Sequence, residues 1–391
     1  MKTIRVHAKI AGLVVFAMSR TSFIGVAAAD TRDRARAQAV RRAVETISPS
    51  LVTIETLGGA QPVQDMGPMG VLEESFKVAE GPTTGVVLST DGVILASSFN
   101  FAREPAVITV ILADGRRMVA KLLGRDLIRR LALVKVEATD LKPAAWLQRG
   151  DLHVGQYAIA CGRGLGGDTP HVSLGIVSAL ARRNGNAVQT DAKLSPVNYG
   201  GPLVDLEGRI IGLIVPMAGA GGALAGAEWY DSGIGFAVYR DKIDLVLEKL
   251  TAGQTIEPGK IGVLLGETES EDIVTPLPWL DKVLRRAGAQ IVKVAPKSPA
   301  AQAELQAGDR ITALDGQTCG DLLDLQRRLS DRAAGEEVTL TIKRRWRAFD
   351  VKIRLARIAD IHGLEPERPR RRGRTTTQPG EEEPTTRPSA D

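Results

Sequence analysis

Hydroxyl groups that could attack a carbonyl carbon occur in two short segments of the chain. Ser97 and Ser98 precede Phe99, and Ser195 lies four residues before Tyr199. Acyl transfer needs such a hydroxyl, an imidazole to take its proton and a carboxylate to orient the imidazole. These two segments are therefore the first places to examine for hydrolytic chemistry.

Imidazole groups are scarce in this sequence. After residue 29 the chain contains only His153, His171 and His362. His362 falls in a polar C-terminal tail, His153 sits at a turn, and His171 begins a predicted strand. Turn and strand-end positions favour the protein surface, so we expect none of the three to act as a base.

The two cysteines predict neither a disulfide framework nor a metal site. Cys161 and Cys319 are far apart in the sequence and fall in different predicted domains. A zinc site needs clustered ligands, which the chain lacks. We interpret both as buried thiols and expect no metal and no cofactor.

The first 29 residues predict an export signal. Basic residues open the segment, an apolar run follows at 10–18, and three alanines at 27–29 form a small-residue cleavage site. Arg20 interrupts the apolar stretch, so an uncleaved anchor stays open as the alternative. No later stretch approaches the ~18 apolar residues of a membrane-spanning helix. We expect an exported protein of the periplasm or cell envelope, with no transmembrane segment after cleavage.

Length and composition indicate two globular domains with tails. A chain of 391 residues exceeds one ordinary domain, and its formal charge of +5 is too small to favour nucleic acid as a partner. The predicted segments are an export signal at 1–29, a lead-in helix at 30–47, a strand-rich domain at 48–250, a linker at 251–260, a second domain at 261–357 and a disordered tail at 358–391.

The strand-rich domain predicts an antiparallel barrel or sandwich. Its apolar runs last about five to nine residues and are separated by turns such as Asp91-Gly92 and Asp114-Gly115. Many short strands with glycine-containing turns are typical of all-β folds. Residues 57–82 lack periodicity and predict a long loop.

Sequence blocks in both domains resemble the HtrA/Deg family of trypsin-like serine proteases. They are TTGVVLSTDGVILAS (83–97), VQTDAKLSPVNYGGPLVDLEGRIIGL (188–213) and SPAAQAELQAGDRITALDG (298–316). The resemblance extends over about residues 40 to 357. It implies a mainly β fold, in which a chymotrypsin/trypsin-like double β-barrel is followed by a PDZ domain.

The resemblance also identifies the positions at which that family carries its catalytic groups. Phe99 stands at the histidine position, Arg130 at the aspartate position and Tyr199 at the serine position. Val197 replaces the glycine whose N–H helps to form the oxyanion hole. A phenyl ring cannot move a proton, and an arginine is a permanent cation. We therefore expect no proteolysis by the family mechanism. We also expect the Tyr199 ring to pack against Phe99 and the Tyr199 hydroxyl to lie near Arg130.

The leading hypothesis is accordingly that the chain is not an enzyme but an exported pseudoprotease that acts as a binding scaffold. The alternative is a serine-type endopeptidase or unconventional hydrolase of the HtrA family, using Tyr199 or a nearby serine, in envelope protein quality control. A third hypothesis is a scaffold whose peptide groove is closed.

The second domain retains the features with which PDZ domains bind peptide C-termini or unfolded proteins. Its predicted peptide-binding residues comprise a loop-and-strand segment and one helix face: Lys260, Ile261, Gly262, Val263, Leu322, Leu325 and Leu329. At least one of these leucines is expected to belong to the core. The resemblance further implies assembly with copies of the chain or with HtrA relatives.

Two arginine-rich segments remain. Residues 343–347 predict a hairpin turn with solvated charges, and residues 370–374 belong to the tail. We interpret the tail segment as solvated, with contact to an anionic envelope surface or to nucleic acid as the alternative.

Overall fold

A computed structural model describes residues 31–58, 64–66, 72–74, 82–102, 104–164, 169–216, 233–266 and 288–363. The predicted export segment, most of the predicted loop at 57–82 and the tail beyond residue 363 lie outside these residues. Within them, no helix is long and apolar enough to cross a membrane.

The first barrel is an eight-stranded sheet built on short apolar strands. Its order is β16-β8-β9-β5-β4-β1-β6-β7, and every pair except β16–β8 is antiparallel. The strands are β1 (Leu51–Leu57), β4 (Thr83–Val87), β5 (Val93–Ser97), β6 (Val107–Ile111), β7 (Arg117–Val119), β8 (Lys121–Asp126), β9 (Leu131–Lys135) and β16 (Thr255–Ile256). A separate hairpin pairs β2 (Gln64–Met66) with β3 (Leu72–Glu74). Gly92 makes the predicted β4–β5 turn with φ +99°, where a side chain would collide with the Val136 carbonyl.

The second barrel closes on itself in the order β10-β11-β12-β15-β14-β13. Its strands are β10 (Tyr157–Gly162), β11 (His171–Ala181), β12 (Ala187–Thr190), β13 (Pro202–Val204), β14 (Ile210–Ile214) and β15 (Gly235–Val238). The predicted double barrel is confirmed, with the difference that the strand order of the first barrel is an open path whereas that of the second is closed.

Two helices outside the barrels pack against the apolar core that the barrels share. Helix α1 (31–47) buries Ala43 and Ile47 in a core that also contains Leu51 of the first barrel and Ile159 of the second. After a short α2 (Arg182–Gly185), helix α3 (Arg240–Thr251) adds its buried face to the same core. One apolar cluster therefore holds both barrels and these two helices together.

The segment 251–260, predicted as a polar linker, is hydrogen-bonded on both sides. Gln254 and Ile256 carbonyls accept from β8 and its following turn, at 3.2 and 2.9 Å. Gly259 and Lys260 N–H groups donate to Arg332 and Ala356 of the second domain, at 2.7 and 2.8 Å. This segment is an extended connection fixed to each domain, because its backbone groups are hydrogen-bonded to residues of both domains.

The second domain is a sheet in the order β17-β18-β19-β21-β22, with β20 paired to β19. Its elements are β17 (Val263–Gly266), β18 (Ala289–Val294), α4 (Pro299–Gln302), β19 (Arg310–Leu314), β20 (Gln317–Thr318), α5 (Leu322–Leu329), β21 (Glu337–Arg344) and β22 (Arg347–Arg354). Asp321 caps α5 by accepting from the Asp324 N–H at 2.7 Å. The tail predicted to be disordered from residue 358 begins with a 3-10 turn at Ile358–Asp360, which an Arg357–Asp360 ion pair closes.

We expect Asp309→Ala to lower the free energy of unfolding by about 2–4 kcal/mol at pH 7. The substitution leaves the Arg344 guanidinium and the Gln306 N–H without their buried acceptor. Burial opposes ionisation of Asp309, but Arg344 and Gln306 outweigh it and hold the pKa of the carboxyl below its ordinary value. The contribution of the lowered pKa is present above about pH 4 and is lost as the pH falls through the folded-state value.

Urea unfolding at pH 7 and pH 3 measures this effect. The difference between wild type and variant should shrink at the lower pH. The control is Asp360→Ala, which removes an exposed ion pair and should leave the unfolding midpoint unchanged. An equal destabilisation at both pH values would contradict the electrostatic explanation.

Candidate functional site

The two barrels meet where Thr84 of β4 contacts the segment 195–201. The Thr84 hydroxyl donates to the Val197 carbonyl at 2.7 Å, and its N–H donates to the Tyr199 carbonyl at 3.3 Å. Gly200 follows with φ +85°, and a side chain there would collide with the Thr84 carbonyl. The segment can approach β4 this closely only because a glycine occupies that position.

Phe99 and Tyr199 pack against each other across the junction between the barrels. Their ring centroids are 5.2 Å apart and the rings are inclined by 76°, an edge-to-face arrangement. Phe99 lies in the 3-10 turn Ser98–Phe101, whose start is fixed by the Phe99 N–H donating to the Ser97 hydroxyl at 3.3 Å. The structure thus shows the predicted ring contact, and the placement of the Tyr199 hydroxyl near Arg130 stays a prediction.

Arg130 contributes its backbone to the same region. It has φ +61°, in the left-handed region, and its side chain is exposed. Its carbonyl accepts from the Ser98 N–H at 2.9 Å and from the Ser97 hydroxyl at 3.3 Å. The turn before β9 therefore fixes the turn that carries Phe99.

The predicted oxyanion segment adopts a 3-10 turn at Pro196–Asn198. The Asn198 N–H donates to the Ser195 carbonyl at 2.9 Å, and the Tyr199 N–H donates to the Pro196 carbonyl at 3.1 Å. In this conformation both N–H groups are bonded within the turn. Binding of an oxyanion by the Tyr199 N–H would require this turn to open.

A polar series connects Ser195, Asn198 and His171 beside the aromatic pair. Asn198 Oδ1 accepts from both the Ser195 N–H and the Ser195 hydroxyl, each at 3.1 Å. Asn198 Nδ2 lies 3.4 Å from His171 Nε2. This geometry suits donation from Asn198 to a neutral imidazole that carries its proton on Nδ1.

His171 is the functional candidate that sequence reasoning dismissed. It is half-buried rather than on the open surface, and burial lowers the pKa of its imidazole. The imidazole lies over Gly162, its direct partner in the β10–β11 pair, where any side chain would collide with it. A glycine opposite a strand-end histidine is the signal that could have found it, but only once the strand register was known.

Cys161 lies in the core beneath this site. It is fully buried, and burial raises the pKa of its thiol to about 12. The thiolate, which is the nucleophilic form, is therefore negligibly populated at neutral pH.

Val263 and Leu265 give the second domain an apolar edge beside helix α5. Strand β17 pairs with β18 and ends the described sheet on that side. Val263, Leu322 and Leu329 are half-buried at the margin of the domain core. Leu325 and Ile261, two of the predicted peptide-binding residues, are buried in the domain core.

The loop before β17 accounts for the remaining two predicted peptide-binding residues. Gly262 has φ +82° and packs against Ser298, whereas Lys260 is paired through its backbone with Ala356. The loop conformation therefore depends on a glycine at position 262.

Comparison with known families matches two parts of the chain. Residues 83–213 match the trypsin-like peptidase domain, and residues 290–344 match the PDZ domain. The first matched segment lies within the two barrels, and the second lies within the second domain.

Several named proteins are similar to most of this chain. The putative serine protease HhoB of Synechocystis is 31% identical over 339 residues, covering 78% of this chain and 76% of the relative. A probable periplasmic serine protease do/HhoA-like of Haemophilus influenzae and the periplasmic serine endoprotease DegP of Escherichia coli K12 are each 31% identical, covering 72% and 70% of this chain. The chain spans only 59% and 56% of the lengths of these last two relatives.

Solved structures show the same fold. A serine endoprotease from Yersinia pestis is 24% identical with a TM-score of 0.59, covering 81% of this chain and 97% of its own. The HtrA-type protease AlgW, solved with a tripeptide, is 25% identical with a TM-score of 0.59, covering 81% of this chain and 96% of its own.

Two barrels that match the trypsin-like peptidase domain, followed by a PDZ domain, define a protein of the trypsin-like peptidase class. Within that class, the chain belongs to the HtrA family.

The prediction that the chain is not an enzyme is corrected by these comparisons, because the similar proteins are named serine proteases and endoproteases and none of the findings shows loss of the triad. The prediction rested on the residue types at four aligned positions, three of the triad and Val197 of the oxyanion hole. It named the Ser195 hydroxyl and dismissed the His171 imidazole as a base, because the sequence did not show that the fold brings both to one side chain, Asn198. The assignment of Phe99, Arg130 and Tyr199 to triad positions stays a prediction.

We expect the pKa of the His171 imidazole to lie below the ordinary value for histidine, because burial disfavours the imidazolium. The measurement is the pH dependence of its ring resonances by NMR, assigned with the His171→Gln variant. Gly162→Ala should displace the imidazole toward solvent and raise the midpoint. A wild-type midpoint at or above the ordinary value would contradict the burial described here.

Proposed function

We propose that the chain is an exported serine-type endopeptidase of the HtrA family that acts on unfolded proteins in the cell envelope. Its membership of a family whose relatives are named periplasmic serine proteases supports the reaction class and the compartment. The observation that carries the proposal is the hydrogen-bonded series from Ser195 through Asn198 to His171, beside the junction of the barrels.

In this proposal Ser195 is the nucleophile and His171 is the base. The lowered pKa of His171 keeps the imidazole neutral at neutral pH, so that it can accept a proton. Asn198 stands between the two groups, and its side chain must swing aside for the hydroxyl to reach the imidazole. Binding of an oxyanion by the Tyr199 N–H requires, as a separate step, that the 3-10 turn at Pro196–Asn198 opens and the Pro196 carbonyl releases that N–H.

Tyr199 and Phe99 then form an apolar wall of the site. Tyr199 is 6% exposed and packs in the core of the second barrel. A phenol titrates near ~10 and would need an activating group to act as a nucleophile at neutral pH. In this proposal the two rings pack beside the site and take no part in proton transfer.

The PDZ domain supplies substrate by capturing exposed peptide C-termini. A peptide would add a strand to β17 and place side chains between that strand and α5. Half-buried Val263, Leu322 and Leu329 suit an apolar C-terminal residue. Assembly with further copies or with HtrA relatives stays a prediction.

We expect the chain to hydrolyse unfolded casein, with Ser195→Ala abolishing cleavage and His171→Ala lowering kcat by about 10²–10⁴-fold. Tyr199→Phe should retain cleavage, because it keeps the ring and removes only the hydroxyl. The control Ser173→Ala changes a serine two residues along β11 from His171 and should have wild-type activity.

Two results would count against this assignment. Absence of cleavage by the wild type, beside an active homologue under the same conditions, would reject hydrolysis altogether. Loss of cleavage in Tyr199→Phe, with Ser195→Ala active, would move the nucleophile to the phenol.

We expect peptides with a free, apolar C-terminus to bind and the same peptides with an amidated C-terminus not to bind, because the loop before β17 captures a carboxylate. Leu329→Ala should raise the Kd about ten-fold by removing a groove contact. Leu323→Ala is the matched control, since this leucine lies on the same helix but is 59% exposed. Isothermal titration calorimetry measures both, and equal binding of the amidated peptide would contradict the proposed groove.

A further inference from the structure

The hairpin tip between β21 and β22, residues 343–347, carries the most exposed large apolar side chain of the described residues. Trp346 is 96% exposed, and the nearby Phe349 is 37% exposed. Burial of an indole ring removes a large apolar area from water, and a ring left this far in solvent contributes nothing to the core. The stability of the fold therefore does not account for a tryptophan at this position.

Three cations surround this tryptophan. Lys343, Arg345 and Arg347 are all exposed, and none of them has an ion pair with any described residue. Asp309 is paired with Arg344, and Asp350 accepts from the Thr341 hydroxyl at 2.7 Å rather than from any of these three cations. The hairpin tip is thus an unneutralised positive patch around an apolar ring.

The hairpin holds this patch rigidly away from the domain. Strands β21 and β22 pair over their full eight residues, up to Arg344 opposite Arg347. Arg344 anchors the base through Asp309 Oδ1 and Oδ2, at 2.6 and 2.7 Å, and through the Glu304 carbonyl at 2.8 Å. Its guanidinium also lies 5.4 Å from the centre of the Phe349 ring. The tip therefore cannot fold back to bury Trp346.

We propose that the hairpin tip docks the protein onto an anionic phospholipid surface. Tryptophan prefers the membrane–water interface, where its ring meets lipid and its N–H stays hydrated, and lysine and arginine bind anionic headgroups. The tip is convex and almost wholly exposed, which suits insertion into a fluid surface. A peptide or protein partner would instead need a concave or flat complementary face.

The geometry of the sheet makes this docking compatible with peptide capture. Strand β22 lies at the opposite edge of the sheet from β17. A protein held to a membrane by the tip would keep its β17 edge open to solvent. The inference is independent of the proposed hydrolysis, since it uses none of the residues between the barrels.

Sedimentation with vesicles tests the proposal, using the chain from residue 30 onward and retaining the arginine-rich tail in every variant. We expect binding to vesicles of equal parts phosphatidylglycerol and phosphatidylcholine, none to phosphatidylcholine alone, and loss of binding at 0.5 M salt. Arg345→Ala/Arg347→Ala should lower the partition coefficient about 20- to 30-fold. Trp346→Ala should lower the partition coefficient several-fold. The fluorescence spectrum of Trp346→Phe, subtracted from that of the wild type in the presence of vesicles, should leave the Trp346 emission, which we expect to be blue-shifted.

The matched control is Lys121→Ala/Lys142→Ala, which removes two exposed cations from the first barrel and should bind like wild type. All these positions are exposed, so unchanged thermal unfolding is expected and is checked for each variant. Binding of the arginine double variant equal to wild type would overturn the proposal by assigning the interaction to the tail. Tip-dependent binding to a single-stranded oligonucleotide, tighter than to the vesicles, would overturn it in favour of nucleic acid.

Discussion

The contact of Thr84 with the segment 195–201 is the constraint on which the site depends. Thr84 uses its N–H and hydroxyl on this segment, and its hydroxyl also accepts from the Arg163 N–H at 2.7 Å. Gly200 and Gly201 pass so close to Thr84 and to the Cys161 carbonyl that neither could carry a side chain without displacement. This junction fixes the segment that carries Ser195, Asn198 and Tyr199, and Phe99 and His171 join the site through their contacts with Tyr199 and Asn198.

The site also shows why residue types at aligned positions are an incomplete guide to chemistry. The resemblance predicted a phenyl ring, a guanidinium and a phenol at the triad positions, and the prediction of inactivity was drawn from these residue types. They do not describe what neighbouring groups do once strands are paired. His171 enters the site because the β10–β11 register sets it opposite Gly162, and Asn198 enters because a 3-10 turn directs its amide between Ser195 and the imidazole.

Local sequence signals predicted the features that local interactions determine. The Asp91-Gly92 turn, the strands on either side of it and the β21–β22 hairpin follow from alternation and turn chemistry within a few residues. Strand β16 could not be predicted in this way. Its two residues are too short to carry a pattern, and they are a strand only because β8 lies beside them. The half-burial of His171 and the full burial of Leu325 depend in the same way on contacts between distant segments.

The pinned connection at 254–260 has a mechanical consequence. A peptide held at β17 and pulled by an unfolding substrate would transmit tension along the chain to this segment within a few residues. The hydrogen bonds of the parallel β16–β8 pair and of the bridge between Lys260 and Ala356 would bear this force before the hydrophobic cores of the barrels and the PDZ domain did. A pull along the strand direction shears such pairs, stressing several hydrogen bonds at once, whereas a pull across it opens them one at a time. The direction of such a pull would therefore decide how strongly this connection, together with the Asn186–Asp331 hydrogen bond at 2.8 Å, resists separation of the PDZ domain from the barrels.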